Sequence, residues 1–324
     1  MLTEVMDHFG LACDPNAAGF YETPHHRRVL HGLRAALPRG RLIVVAGLVG
    51  SGKTAFVRRF CAELAREGQI TVSRSLSVDK GRLNLANLIT ALFYDLSPGG
   101  REPKVPSQGE KRERALQALV RQGRKPVALF VDDAHDLHHK TLVGLKRLIE
   151  VVADGDGSLA IVLAGHPKLS HDLRRPTMEE IGYRTSTFAY DGVAGHQREY
   201  LDWLLRACAA ADTQVGEMIE EAAVELLATR LRTPLQFEQH LMLAFEEAYR
   251  VDVKPVTAEV VEAVLSRHID DLEPRLVRHG YDAKAVAELI GAKTAEVKLL
   301  LQGGLEAVRA REMTERMMAA GIPV

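Results

Sequence analysis

The stretch Arg41–Phe60, RLIVVAGLVGSGKTAFVRRF, decides how the rest of the chain is interpreted. Its first part is an apolar run typical of a strand buried on both faces, and its last part has apolar residues at helical spacing. Between them, GLVGSGKT (Gly47–Thr54) matches the pattern G-x-x-x-x-G-K-[ST] in full. The sequence therefore predicts a strand, a glycine-rich turn and a helix in direct succession.

Glycines and a lysine give this turn its expected chemistry. The glycines allow the backbone to curl so that its N–H groups point inward, and the start of the following helix adds a partial positive charge. Lys53 is predicted to reach the β- and γ-phosphates of a nucleotide, and Thr54 is predicted to place its hydroxyl on Mg²⁺. We therefore predict a site for ATP and Mg²⁺ formed by Gly47, Val49, Gly50, Ser51, Gly52, Lys53, Thr54 and Ala55.

A second apolar run, PVALFVDDAHDL (Pro126–Leu137), ends on two adjacent aspartates. Like charges side by side at the end of a buried strand are tolerable when a cation lies between them and phosphates. In proteins with such a loop, an acid at this place holds Mg²⁺. We assign that role to Asp132 and predict that Asp133 is the base that orients the attacking water. An alternative is that Asp133 caps the helix that follows, and both roles can hold together.

The order of elements predicts the fold. Strand patterns alternate with helical ones up to Asp191, which favours an α/β fold with a five-stranded parallel sheet and helices on both faces. After that residue the pattern is almost entirely helical. We predict a core with an N-terminal extension over 1–192, a helical lid over 193–271 and a small helical unit over 272–324.

Bulk composition excludes several classes of protein. The 324 residues are 46% hydrophobic and 26% charged, with a formal net charge of −1, so any nucleic-acid binding must come from local basic patches. Cys13, Cys61 and Cys208 lie far apart without a CxxC pair, which argues against a disulfide framework or a zinc site. No signal peptide and no apolar run of roughly 18 residues is evident, so we expect a cytoplasmic protein without membrane contact.

The region from about Phe9 to Ile269 resembles the AAA+ ATPases of the ExeA, TniB/TnsC and MuB group. The resemblance is carried by FGL near the start, the phosphate loop, VDDAHDL, LAGHPKL at residues 163–169 and the helical lid. It is closest to members encoded beside transposases. It implies an ATP-dependent regulator of DNA transposition that oligomerises on duplex DNA as a ring or helical filament. Such a regulator recruits a transposase, and ATP hydrolysis drives its disassembly.

The resemblance also implies roles for single residues. His166 occupies the sensor-1 position, where a polar group contacts the γ-phosphate or the water; the alternative is a turn or capping histidine before a proline. Arg184 corresponds to the arginine that reaches the nucleotide of a neighbouring subunit, with Arg174 and Arg175 as competitors. Such an arginine stabilises charge in the transition state.

Departures from the group affect the expected activity. Relatives usually carry Glu where Asp133 stands, and the shorter side chain predicts slow hydrolysis. The lid motif G-x-P-R reads LRTPLQF here, so Leu235 takes the place of the sensor-2 arginine. Arg232 is a candidate substitute. The residues that hold adenine are open; Phe20, Tyr21 and His25 are candidates by position.

Two basic patches are candidates for DNA contact. Lys80 and Arg82 lie in SVDKGRLN, which resembles a loop that lines a DNA-filled pore in transposition ATPases. Lys111 and Arg112 open a charged helix within residues 101–125. The alternative for both patches is a solvated surface, which is the commoner fate of a charge run.

The tail AKAVAELIGAKTAEVKLLL (residues 283–301) has the pattern of a helix–turn–helix. Val286, Ile290, Val297 and Leu300 are its predicted buried positions, Ala287 the small residue at the helix crossing and Gly291 the turn residue. Thr294 is predicted to cap the second helix. Lys298 is the only base of that helix, so binding of DNA and binding of protein both remain open.

Other functions stay open at this stage. An ExeA-like secretion ATPase and a helicase-loader-like remodeller fit the same core. A nucleotide-dependent scaffold that barely hydrolyses ATP is a third possibility because of Asp133.

Overall fold

The computed structural model describes residues 2–75, 83–97, 103–265 and 271–324. Its strands are β1 (Leu42–Ala46), β2 (Thr71–Arg74), β3 (Val127–Val131), β4 (Leu159–Gly165) and β5 (Thr185–Ala189). They form a five-stranded sheet in the order β2–β3–β4–β1–β5, and each neighbouring pair is parallel. The predicted α/β fold with a five-stranded parallel sheet is therefore confirmed.

Helices fill most of the remaining described chain. Those up to β5 are α1 (Leu2–Phe9), α2 (Pro24–Ala36), α3 (Lys53–Glu67), α4 (Leu85–Leu96), α5 (Gly109–Gly123), α6 (His139–Asp154), α7 (Pro167–Leu173) and α8 (Glu179–Gly182). Those after β5 are α9 (Gln197–Cys208), α10 (Val215–Met218), α11 (Glu221–Arg230), α12 (Pro234–Arg250), α13 (Ala258–Val264), α14 (Leu272–Arg278), α15 (Ala283–Ile290), α16 (Thr294–Leu301) and α17 (Ala307–Ala319). In the described residues, no helix is both long enough and apolar enough to span a bilayer.

The described chain divides into two compact units. The first consists of Met1–Pro24, Leu48–Gly52 and Asp191–Val324, and the second of His25–Gly47 and Lys53–Tyr190. The predicted boundaries at 192 and 271 stay predictions.

The second unit is organised by the sheet. Every residue of β1, β3 and β4 is buried, whereas the edge strands β2 and β5 are only partly so. One face of the sheet packs against α4, α5 and α6 in a single apolar cluster. On the other face, the ring of Phe130 in β3 meets Phe60 of α3 at 6.0 Å between centroids. Strands that are buried on both sides read as unbroken apolar runs, which is why they were recognisable in the sequence.

Register brings three strand ends to one edge. Ala46 pairs with Gly165, and Val131 pairs with Leu163. The residues that follow β1, β3 and β4 therefore emerge side by side at the carboxyl edge of the sheet. Parallel α/β sheets place their ligand sites outside this edge.

Two separate apolar cores lie among the described residues of the first unit. One joins α1 to α9 through α13, with Phe9, Phe237 and Phe245 fully buried. The other joins the helices α14 to α17, which form the C-terminal segment (residues 272–324), and includes Val297.

The C-terminal segment follows the predicted pattern with one exception. Val286, Ala287, Ile290 and Val297 are buried and Leu300 is partly buried, while Gly291 ends α15 in a left-handed conformation at φ 62°. The exception is the cap of α16. The helix begins at Thr294 itself, and the capping position belongs to Lys293, which makes no side-chain capping bond. The prediction that Thr294 caps this helix was wrong.

Candidate nucleotide site

The loop between β1 and α3 has the backbone that its glycines predict. Gly50 and Gly52 have φ of 75° and 89°, in the left-handed region where a Cβ is unfavourable. The N–H of Ser51 donates to the carbonyl of Leu48 at 3.2 Å and closes a tight turn. Because α3 starts at Lys53, the N–H groups of its first turn have no partner inside the helix. They are the groups that such a loop offers to phosphate oxygens.

Residues 48–52 also contact the start of α12, within the first unit. The N–H of Leu235, in the first turn of α12, donates to the carbonyl of Gly50 at 3.2 Å. A Cβ built on Gly50 would lie 2.8 Å from Cβ of Leu235, so a side chain has no room there. The leucine at the sensor-2 place thus touches the loop through its backbone. Arg232, the proposed substitute, is exposed, and its N–H donates to the side chain of Gln236 at 2.9 Å.

The C-terminal segment makes a second contact with the same loop. The N–H of Val49 donates to the carbonyl of Arg278, at the end of α14, over 2.9 Å. That donor is therefore engaged by protein. The predicted contact of Val49 with nucleotide stays a prediction.

Lys53 is held in place within the second unit. Its side chain is buried, with 8% exposure, and Nζ donates to the carbonyl of Gly47 at 2.8 Å. Burial lowers the pKa of Lys53 to about 8, while the nearby charges of Asp132 and Asp133 oppose that shift. A buried ammonium near two carboxylates is well placed to meet a polyphosphate.

The two aspartates follow β3 in different environments. The N–H of Asp133 donates to Oδ1 of Asp132 at 3.0 Å. Asp133 has a left-handed backbone, with φ 52°, and precedes a short 3-10 turn over Ala134–Asp136. Its side chain is exposed and makes no capping bond to that turn. The capping alternative therefore has no contact to support it, and the carboxylate projects from the edge of the sheet.

The donor set fits Mg²⁺. Thr54 and Asp132 offer hydroxyl and carboxylate oxygens, the ligands that this hard cation prefers. Among the described residues, no group of three or more His, Cys, Asp or Glu side chains could hold a metal alone. Mg²⁺ ordinarily takes one or two protein carboxylates and completes its shell with substrate phosphates and water. The predicted site of this kind needs no further protein ligand.

His166 emerges beside the aspartates, directly after β4. It stands at the capping position of α7, but its side chain makes no capping bond, so the capping interpretation lacks a contact. Its ring stacks on that of His135, with centroids 3.5 Å apart and planes at 24°. Burial lowers the pKa of His166 to about 4, and the neighbouring His135 and Lys53 act in the same direction. His135 was not among the predicted site residues.

Arg184 lies directly before β5, where the strands of the sheet begin. This amino edge of the sheet is opposite the carboxyl edge. Thr185 pairs with Leu42, the first residue of β1, so Arg184 is separated from the carboxyl edge by the length of that strand. At about 3.3 Å per residue, this is on the order of 15 Å. Nη1 of Arg184 contacts Oε1 of Glu150 at 2.6 Å, and 63% of its side chain is exposed. Lys146 contacts the same carboxylate at 3.2 Å and also pairs with Glu180.

Three of these charged residues, Lys146, Glu150 and Arg184, line a cavity of about 410 Å³. Arg39, Arg41 and Tyr183 also line it. Of the competing arginines, Arg175 lies 3.7 Å from Asp172 and Arg174 lines a neighbouring cavity with Tyr183. This network was not predicted, because two of its pairs, Lys146 with Glu180 and Arg184 with Glu150, join residues that are 34 positions apart in the chain.

The remaining predicted site residues are scattered. Lys80 and Arg82 lie outside the described residues. Lys111 is exposed on α5, whereas Arg112 is half-buried with its Nε enclosed.

The adenine candidates are already packed against protein. Tyr21 packs against Trp203, with centroids 5.4 Å apart, and Nε2 of His25 lies 3.0 Å from the carbonyl of Ala189. Phe20 is half-buried. Their predicted contact with adenine stays a prediction.

Residues 38–173 match the family described as "AAA domain". Residues of this chain are also 26% identical, over 172 positions, to "General secretion pathway protein A" of Aeromonas hydrophila. That match covers 52% of this chain but 30% of the relative, so the chain corresponds to less than a third of that protein.

Solved structures share the fold. The chain in "Structure of Drosophila ORC bound to DNA" has a TM-score of 0.55 and 15% identity, over 98% of this chain and 83% of that one. Cdc6p from Pyrobaculum aerophilum has a TM-score of 0.54 and 15% identity, over 96% and 91%. At such identities the likeness concerns the fold. The matched residues 38–173 contain the phosphate loop, both aspartates and the strands that position them, so this part of the chain is an AAA domain.

Proposed function

We propose that this chain is an ATPase that acts as an ATP-dependent, DNA-binding regulator of DNA transposition. It assembles on duplex DNA as a ring or helical filament when ATP is bound, and the assembly recruits or activates a transposase. Hydrolysis then releases the subunits. The subgroup rests on the sequence resemblance in VDDAHDL and LAGHPKL, and the position of a single arginine supports the assembly.

The observation that carries the assembly step is the position of Arg184. The arginine is exposed at the amino edge of the sheet, about a strand length from the edge where the phosphate-binding residues of its own subunit lie. It can meet a nucleotide only if another subunit presents one. A head-to-tail contact of this kind repeats into a ring or a filament.

The carboxyl edge supplies the chemistry within one subunit. Lys53 and the N–H groups at the start of α3 bind the phosphates, and Asp133 orients the water for attack on the γ-phosphorus. Thr54 and Asp132 would hold Mg²⁺, which neutralises charge on the phosphate oxygens when bound. His166 contributes a neutral, polar ring beside the γ-phosphate. Arg184 of the neighbour stabilises the negative charge of the transition state.

Exposed basic side chains on the second unit support contact with DNA. Lys111 on α5 and the residues Arg121, Arg124 and Lys125 at its end are all exposed. One protein that shares the fold was solved bound to DNA, although at 15% identity this supports the idea only by analogy. Contacts to phosphate of this type make binding strongly dependent on salt.

A binding experiment tests the proposal. Duplex DNA binding by the full chain should require ATP and Mg²⁺, and electron microscopy of the same samples should show rings or filaments on DNA. Lys53→Ala should abolish both, because it removes the ammonium that holds the phosphates. The combined change Lys111→Ala and Arg121→Ala should flatten the log–log salt slope by roughly 0.9 for each DNA phosphate that is no longer neutralised. DNA binding that ignores ATP, or a salt slope that does not change, would contradict the respective step.

A second candidate has a specific observation in its favour. The match to General secretion pathway protein A favours, as the second candidate, a secretion-type or remodelling ATPase. Such a protein would hydrolyse ATP without assembling on DNA. Turnover that is indifferent to duplex DNA, together with a small oligomer at all nucleotide states, would favour this candidate.

A further inference from the structure

The stacked pair of His135 and His166 lies beside the phosphate-loop lysine, and its first member has no role so far. His135 belongs to the short turn that follows β3, and His166 follows β4 directly. The two rings meet because β3 and β4 are paired in register, with Val131 opposite Leu163. The sheet thus brings together two imidazoles that lie 31 residues apart in the chain.

The backbone is shaped to permit this close approach. Gly165 is the last residue of β4, and a Cβ built on it would lie 3.2 Å from the backbone nitrogen of His135. The left-handed conformation of Asp133 turns the chain at the end of β3. The stack is therefore a consequence of the main chain on both strands, and its two rings come together without a hydrogen bond between them.

In the described part of the chain, hydrogen bonds from Nδ1 do not hold the two rings in place. Nδ1 of His135 and Nδ1 of His166 are both buried and make no hydrogen bond within the described residues. A histidine usually has its ring orientation fixed by a bond from one of its nitrogens. Nε2 of His135 lies 3.8 Å from Oδ1 of Asp136, which is beyond hydrogen-bond distance. The face-to-face contact therefore fixes the orientation of the rings, and Nδ1 of His166 makes no hydrogen bond within the described residues.

The electrostatics agree with this arrangement. Burial is the main cause that lowers the pKa of both histidines, and that of His166 falls to about 4. Both rings are thus uncharged near neutral pH, and two neutral rings stack without repulsion. Lys53 is close enough to add to the lowering in both cases, which places the pair next to the phosphate-binding ammonium.

We propose that His135 is a positioning residue for ATP hydrolysis: its ring holds that of His166 in the orientation needed to contact the γ-phosphate or the attacking water. The inference rests on the role proposed above for His166. It needs a flat ring at position 135 and does not need a nitrogen there. This requirement separates it from a direct chemical role.

The test compares side chains of different shape at position 135 in the full chain, with steady-state ATP turnover measured in the presence of duplex DNA. His135→Phe keeps a flat ring and should retain turnover within about three-fold of the unchanged protein. His135→Leu keeps apolar bulk without a flat face, and His135→Ala removes the stacking surface. Both should lower kcat by roughly 10- to 100-fold, the loss expected when a reacting group is misplaced by about 1 Å. KM for ATP should stay nearly constant, because binding depends on the loop.

Controls distinguish positioning from loss of structure. His139→Ala alters an exposed histidine at the start of α6 and should leave turnover unchanged. Binding of a fluorescent ATP analogue reports whether each variant keeps a folded loop. If His135→Ala fails to fold, the comparison of Phe with Leu still decides. The double change His135→Ala with His166→Ala should be no worse than His166→Ala alone, because both act through one ring.

The contrary outcomes are equally definite. Normal turnover in both His135→Leu and His135→Ala would refute the positioning role, and so would a Phe variant as impaired as the Leu variant. If His166→Ala turns over normally, the role of His166 itself fails and the inference fails with it. If His166→Ala is impaired while the position-135 variants are not, only the role of His135 is refuted.

Discussion

The two edges of the sheet in the second unit differ in how their polar groups are satisfied. At the carboxyl edge, Asp133 projects without a capping contact, and buried nitrogens of His135 and His166 lack hydrogen bonds among the described residues. At the amino edge, Arg184 is paired with Glu150 at 2.6 Å. The carboxyl edge thus has polar side chains that lack a hydrogen-bond partner among the described residues, whereas Arg184 at the amino edge is paired with a carboxylate.

The difference indicates where substrate and neighbour act. Buried polar groups without partners cost free energy and are tolerated where a ligand completes them. Exposed ion pairs contribute only about 0–1 kcal/mol, so they exchange partners easily. The carboxyl edge is thus suited to a bound nucleotide. The amino edge is suited to an arginine that leaves its own carboxylate when a phosphate of another subunit arrives.

Removing the arginine should have the largest effect. In the proposed assembly, Arg184→Ala should lower turnover on DNA by on the order of 10³-fold, as expected for an arginine that acts from a neighbour. ATP binding by the isolated subunit should be unchanged, because the residue lies at the opposite edge of the sheet. Measuring kcat and ATP affinity side by side checks both statements. Arg147→Ala, at an exposed position on α6, is the matched control; a decrease of similar size there would mean that charge alone matters.

Removing the proposed base should have the next largest effect. Asp133→Asn keeps the shape of the side chain and should lower kcat by about 10²-fold, within the usual range for general acid–base groups. ATP-bound assemblies should persist on DNA, which sedimentation after addition of ATP would reveal. Asp154→Asn changes an exposed acid at the end of α6 and serves as the control. Faster release of DNA by Asp133→Asn than by the unchanged protein would contradict the role of Asp133 in hydrolysis.

Weakening the ion pair between Glu150 and Arg184 should slightly favour turnover by the assembly, which is opposite to the effect of removing Arg184. Glu150→Gln removes the charge that holds Arg184 in the free subunit. Because such exposed pairs are weak, the protein concentration at half-maximal turnover should fall by only about two- to three-fold. A titration of turnover against protein concentration measures this shift. A rise in that concentration would show that Glu150 supports the interface instead of competing with it.

The smallest effect concerns stability against acid. The pKa of His166 is lowered to about 4 in the folded chain, whereas an unperturbed histidine titrates near 6.5. Between those values the unfolded chain binds more protons, so this group makes stability fall as the pH falls from about 6.5 to about 4. His166→Gln should therefore make the unfolding temperature less dependent on pH in that window. Parallel curves for both proteins would show that the histidine is not buried as described.

The sequence was informative where a pattern is local. The strand, loop and helix around Lys53 were predictable because glycine spacing and apolar runs act over a few residues. The edge strands β2 and β5 were also predictable, although they are less buried. The cap of α16 was assigned wrongly, because a threonine beside a lysine suggested the usual capping side chain, and the helix instead begins at Thr294, one residue earlier than that prediction requires.

Contacts that depend on how strands and helices pair in space could not be predicted from local sequence patterns. His135 meets His166 only because β3 and β4 align. Arg184 meets Glu150 because α6 packs against α8, which ends two residues before Arg184. A usable signal did exist for the first pair. Each histidine follows the end of a buried strand within four residues, and parallel strands that pair bring such residues to the same edge.

Two edges of the sheet, from different subunits, complete one ATPase site in the proposed assembly. This arrangement is tested most directly by mixing two inactive variants, Arg184→Ala and Asp133→Asn, in equal amounts on duplex DNA. In a random head-to-tail assembly, about one interface in four joins an intact carboxyl edge to an intact amino edge, so turnover should return to up to about a quarter of the normal rate. Mixtures that stay as inactive as their components would contradict a site shared between subunits.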